Sequence, residues 1–150
     1  MHMTTALTLA NLTDRTGLDV LDHLERETTI PVVDGLQAQG DLIVIPCAHL
    51  DDITIAPNPR WREVPSTGIE LLRSAAGGNP HTLVADPGTC QWTTSVDDPT
   101  RLALGVLTAT RAAYLIHPEH GGAGIAPGTY LIRRQRERRE GTQEARLIAD

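Results

Sequence analysis

The chain has 150 residues, a formal net charge of −6 and 13 basic side chains, every one of them arginine. Without lysine it cannot form a G-x-x-x-x-G-K-[ST] phosphate loop, a kinase-type nucleotide lysine or a lysine Schiff base. With no phenylalanine, two tryptophans and two tyrosines, it also has little with which to stack unpaired bases.

The length suits one domain over residues 1–150, able to build a core without disulfides or metal as staples. No stretch approaches the ~20 apolar residues of a membrane span, and no basic segment followed by an apolar core and cleavage site opens the chain. The expected location is the cytoplasm, with Cys47 and Cys90 as reduced thiols. Met1-His2-Met3 reads as a start and cloning scar, so His2 is set aside.

Taken in order, residues 13–28 carry Leu18, Leu21 and Leu24 among acids and bases. This spacing predicts a short amphipathic helix, N-capped by Asp14 or Thr16 and stopped by Pro31. Beyond it the apolar residues alternate or fall in short blocks between Gly, Pro and Asp. Strands are expected at 41–45, 52–55, 68–73, 81–85, 102–108, 112–117, 129–136 and 145–149. The expected fold class is therefore mostly β: a small single-domain β-barrel or two-sheet sandwich of about eight short strands over 41–149, with one N-terminal helix. The loop 56–67 holds Pro57, Pro59, Pro65 and Trp61. Its tryptophan is expected to pack as a lid on the end of the barrel, with partner contact as the functional alternative.

The densest chemistry is His117-Pro118-Glu119-His120, at the end of an apolar run and ahead of the Pro127-Gly128 turn. Neutral imidazole is the commonest metal ligand and titrates near neutrality. His81 enters its strand from a turn, as His117 leaves its strand into one. If the two ends share a rim, His81, His117 and His120 form a three-histidine set, with Glu119 as fourth ligand or catalytic base. Such a set would take a divalent transition metal: zinc, iron, nickel or copper. The plainer reading has His117 bonded to backbone at the edge of the core, with a solvated turn after it.

Cys47 and His49 stand two apart and would share a face if their strand continued past Pro46. A nucleophile with its base is conceivable there, but a small buried thiol is the expectation, since Asp51 and Asp52 disfavour thiolate. Arg133, Arg134, Arg136, Arg138 and Arg139 fall within seven residues of an acidic chain. An edge-guarding hairpin through 140–142 is favoured over nucleic-acid binding, because a basic footprint normally comes with a basic domain. A protein partner with an acidic surface is the functional version, met by Arg133, Arg134, Arg136, Arg138 and Trp61. Two functions follow: a small metal-dependent enzyme or polar-ligand protein centred on the histidines, or a non-catalytic interaction module.

Overall fold

A computed structural model describes residues 7–18, 20, 29–50, 53–72, 80–138 and 145–147; for 136–138 and 145–147 it describes the backbone path only. The helix α1 spans Leu9–Thr16. Thr8 caps it: its hydroxyl accepts from Asn11 N–H at 3.1 Å, and the Asn11 side chain accepts from Thr8 N–H at 2.9 Å. Gly17, at φ 72°, closes the other end in the left-handed conformation that suits glycine. The helix thus ends at Thr16, where the leucine spacing places its start. Reciprocal capping and the glycine stop set its two ends, and Leu9 and Leu12 supply the buried face. Residues 21–28 of the expected helix, and the expected scar at 1–3, lie outside the described residues.

Among the described residues fifteen strands follow: β1 Val32–Val33, β2 Gln37–Gln39, β3 Leu42–Pro46, β4 Thr54–Ile55, β5 Arg62–Glu63, β6 Ile69–Leu72, β7 His81–Val84, β8 Cys90–Thr93, β9 Val96–Asp97, β10 Ala103–Ala109, β11 Ala113–His117, β12 Gly121–Ile125, β13 Gly128–Arg134, β14 Arg136–Arg138 and β15 Ala145–Leu147. They form a five-stranded sheet in the order β1-β12-β11-β7-β6, a six-stranded sheet in the order β2-β3-β13-β10-β8-β5, and two strand pairs, β4-β9 and β14-β15. The protein is mostly β, with one α-helix and several sheets among the described residues, and the described strands do not close into a barrel.

Each expected strand segment contains a strand. The expectation misses short edge strands such as β1, β2 and β5, and it misses β12, whose sequence Gly121-Gly122-Ala123-Gly124-Ile125 has poor strand propensity. Close packing explains the glycines. A Cβ on Gly122 would lie 2.6 Å from Cδ1 of Ile30, and one on Gly124 would lie 2.7 Å from the carbonyl oxygen of Pro31. That room lets β1 run parallel to β12, with Val32 opposite Gly124.

Alternation along β7 and β11 sorts their side chains onto two faces. Leu83, Ala113 and Leu115 join Leu42, Val44 and Ile132 of the six-stranded sheet in the larger core. Val84, Tyr114 and Ile116 face the other way and pack with Leu9, Leu12, Val20 and Ile30 of the N-terminal segment. His81 and His117 have the parity of Leu83 and Leu115, so they stand on the face shared by both sheets.

Asp98 holds the approach to β10. Its carboxylate accepts from the Thr100 hydroxyl and from the backbone N–H groups of Thr100, Leu102 and Ala103, at 2.7 to 3.1 Å. Burial pushes its pKa up, but bonds from the Thr100 hydroxyl and from the three N–H groups outweigh this, and the net shift is down. A carboxylate with a lowered folded pKa stabilises the fold fully above the ordinary aspartate range, about pH 4, and ceases to do so as the pH falls through the folded value. Asp98→Asn is therefore expected to lower the urea midpoint at neutral pH and to flatten its decline on acidification. An unchanged acid limb would refute this role.

Candidate functional site: a buried imidazole cluster

Strand pairing brings the first two histidines together. In the β11–β7 ladder Tyr114 faces Val84, Leu115 faces Leu83 and Ile116 faces Thr82. One more step in this register sets His117 across from His81. Their ring centroids are 4.4 Å apart, and both residues are buried, at 0% and 1% exposure. The tight turn between β11 and β12 then returns His120 over His117, centroid to centroid 4.5 Å. The His120 and His81 rings are nearly parallel, 6° apart in plane and 6.3 Å in centroid. His117 thus lies between a buried ring and an exposed one.

The buried end is held by two residues that the sequence reading did not select. Gln39 ends β2, Leu42 opens β3, and the two pair directly, so Gly40 and Asp41 form a two-residue hairpin turn. Gly40 sits at φ 57°, a conformation such turns demand of glycine. Across that turn Gln39 Oε1 meets His81 Nδ1 at 3.0 Å, and Asp41 Oδ1 meets His81 Nε2 at 3.0 Å. The amide orientation of Gln39 follows from its other end, where Nε2 donates to the carbonyl oxygens of Leu115 and Gly121 at 3.1 and 3.2 Å. Oε1 can only accept, so His81 Nδ1 carries a proton. A second proton lies between Nε2 and Asp41, leaving the pair with no net charge wherever on that bond it resides. Both partners are almost wholly buried, with side-chain exposures of 1% and 3%.

His117 has the opposite arrangement. Its Nδ1 accepts from the backbone N–H groups of Glu119 and His120, at 3.1 and 3.3 Å. Backbone nitrogen can only donate, so Nδ1 presents its lone pair to the turn, and in the neutral ring the proton is on Nε2. Glu119 and His120 are exposed at the outer end.

This inventory bears on metal. A ligating imidazole offers one lone pair to the ion and donates its other N–H to an acceptor. As placed, His117 offers its lone pair to the turn, and both nitrogens of His81 are engaged by Gln39 and Asp41. Among the described residues, no group of three or more His, Cys, Asp or Glu side chains is arranged to hold a metal ion. A three-histidine centre would require the His117 turn to open and the His81–Asp41 bond to break.

The remaining candidates stand elsewhere. β3 ends at Pro46, and Cys47–His49 form a 3-10 turn, so Cys47 and His49 do not share a strand face. Burial raises the pKa of the Cys47 thiol and pushes that of Cys90 up to about 12, against thiolate chemistry at either. Trp61 is 39% exposed beside β5, not packed as a lid. Arg133 and Arg134 belong to β13 in the middle of the six-stranded sheet, whereas Arg136 and Arg138 belong to β14, paired with β15 as the expected hairpin. The hairpin's own turn lies outside the described residues.

No helix among the described residues is long and apolar enough to cross a membrane. Comparison with curated proteins and with solved structures finds no match to either. Residues 38–135 match the family described as a domain of unknown function, DUF8820. That span includes Gln39, Asp41, His81, His117 and His120 and stops short of β14. Because the match covers more than half of the chain, the protein belongs to the DUF8820 family.

Proposed function

We propose that the imidazole cluster is the functional site and that it binds a small polar molecule at its outer end, with His120 and Glu119 as the contacting side chains. The observation that carries this reading is the graded arrangement of rings, from His81 clamped by Gln39 and Asp41, through His117, to the exposed His120. Two buried histidines carrying this many hydrogen bonds form a rigid support, and rigid support is what a binding constellation needs. The neutral His81–Asp41 pair braces the column, and Glu119, the neighbour of His120 in the turn, is the group that would exchange a proton with a molecule held against His120.

Nitrogen NMR of the imidazole rings tests this. His117 is expected as the Nε2–H tautomer, and at least one of acetate, inorganic phosphate or acetamide, at millimolar concentration, is expected to shift the His120 and His117 signals. The shift should vanish in His120→Ala. If all three probes leave the rings unmoved, the reading fails.

A second reading is favoured by the convergence of three rings within 6.3 Å. In it, a divalent transition metal opens the His117 turn and takes His81, His117 and His120, with Glu119 as ligand or base. One equivalent of zinc that moves all three rings and releases protons would establish this reading in place of the first. The interaction reading draws support from exposed Trp61, beside the edge strand β5. It expects Trp61→Ala to abolish binding of an acidic protein partner while leaving the ring signals in place.

A further inference from the structure

We infer that the open edge of β5 takes up an extended, acidic segment of a partner protein as an added strand, with Arg62 and Trp61 meeting its two faces. This rests on the interaction reading above and names the form of the partner and how it is held.

β5 is the last strand of the six-stranded sheet, paired on one side with β8, Arg62 opposite Trp92 and Glu63 opposite Gln91. The next residue, Val64, donates its N–H to the Cys90 carbonyl at 2.9 Å. Bonded and non-bonded pairs alternate in an antiparallel ladder, so Arg62 turns its N–H and carbonyl to β8 and Glu63 turns both away. The Trp61 carbonyl also points away, because it lies across a trans peptide bond from the Arg62 N–H. Among the described residues none bonds to these outward groups. A strand edge with open donors and acceptors is a template for another strand.

The side chains select which strand. Alternation sends Arg62 to the side of Val64, which is buried in the core, and sends Trp61 and Glu63 to the other side. Arg60, Trp61, Arg62 and Glu63 are all exposed. The loop ahead of them is closed on one serine: Ala56 N–H donates to the Ser95 carbonyl at 2.9 Å, and Arg60 N–H donates to Ser95 Oγ at 3.4 Å. Ile55 and Trp61, each one residue beyond a tether, are held there with 37% and 39% exposure. The Glu63 carboxylate accepts from Gly88 N–H at 3.2 Å, whereas Arg60 and Arg62 form no ion pair with a described residue. Two unpaired guanidinium groups therefore flank an exposed indole on a chain of net charge −6. A segment alternating acidic and apolar residues meets every one of these features. Its carboxylates face Arg62, its apolar side chains face Trp61, and its main chain pairs with Glu63. Nucleic acid offers no strand backbone to that edge and is disfavoured by an acidic chain.

The test uses the full chain and a capped seven-residue peptide alternating glutamate and valine, with its lysine–valine counterpart and a short oligothymidylate as comparisons. Calorimetry reads binding, and amide hydrogen exchange reads the backbone. The glutamate peptide is expected to bind and to slow exchange at Glu63 N–H, and the lysine peptide is not. Arg62→Gln is expected to weaken the peptide by about tenfold or more, the loss of a charge-assisted hydrogen bond. Trp61→Ala should abolish binding. If the peptide binds through Trp61 while Glu63 N–H exchanges as freely as before, strand addition is overturned and the interaction reading stands. Protection of Glu63 N–H in the free chain, with a dimer in sedimentation, would assign the edge to a second copy and overturn it equally. Equal binding of the lysine peptide, tighter binding of the oligothymidylate, or unchanged binding by Arg62→Gln overturns the acidic class. If the glutamate peptide does not bind, or binds Trp61→Ala as it binds the parent, this inference and the interaction reading both fall. Should Trp61→Ala fail to fold, Arg62→Gln and the lysine peptide carry the comparison.

Discussion

Asp41→Ala is expected to destabilise the protein by about 3–5 kcal/mol, the cost of removing one member of a buried charge pair and leaving the other without its counterpart. The side chains of Asp41 and His81 are 3% and 1% exposed, so little water is at hand to replace the lost carboxylate. His81 would retain Gln39 at Nδ1 and lose the carboxylate at Nε2. Replacing both residues, Asp41→Ala with His81→Leu, should recover part of the loss, because a buried ion pair replaced by apolar side chains is often close to neutral. Recovery is incomplete because Gln39 Oε1 then loses its donor. Urea unfolding of the four proteins in this cycle measures the coupling directly. A loss below about 1 kcal/mol for Asp41→Ala would mean that the pair behaves as an exposed one and that the clamp is hydrated.

Leu115→Ala is expected to cost about 2–5 kcal/mol, the range for truncating a fully buried leucine in a core that closes only partly around the cavity. Leu115 is 0% exposed and belongs to the larger core between the sheets. Its backbone also serves the site, since its carbonyl accepts from Gln39 Nε2. The substitution removes side-chain packing and leaves that carbonyl in place. The two roles therefore separate: the urea midpoint should fall sharply, while the His117 tautomer in the folded fraction stays as in the parent. A shifted tautomer would show that the Leu115 side chain, and not the β11–β7 ladder, positions the cluster.

Much of the strand content was legible because alternating apolar residues between turn formers carry a local signal. Segments such as 103–109 and 113–117 are bounded by that pattern, and the structure starts and ends them within a residue or two. Signals that depend on distant partners were not legible. The glycines of β12 carry no strand signal of their own, and nothing near them in the chain shows that Ile30 and Pro31 press against their backbone. The start of the helix Leu9–Thr16 was not legible for the opposite reason: it is set by a short-range exchange of bonds between Thr8 and Asn11, which a search for the longer leucine period passes over.

For the site, the chain by itself determined which chemistry is available: no lysine, a pair of histidines around a proline turn, and a third histidine at the mouth of another strand. Period-two alternation then sends His81 and His117 to the same face as Leu83 and Leu115, a consequence of strand geometry alone. Only the tertiary structure decided that these two strands are neighbours in the register that sets the rings 4.4 Å apart. It also decided that Gln39 and Asp41, at the β2–β3 turn of another sheet, reach across to take both nitrogens of His81. The physical reason is that a side chain's type is local, whereas the state of its proton and lone pair depends on whichever donors and acceptors folding brings within about 3 Å.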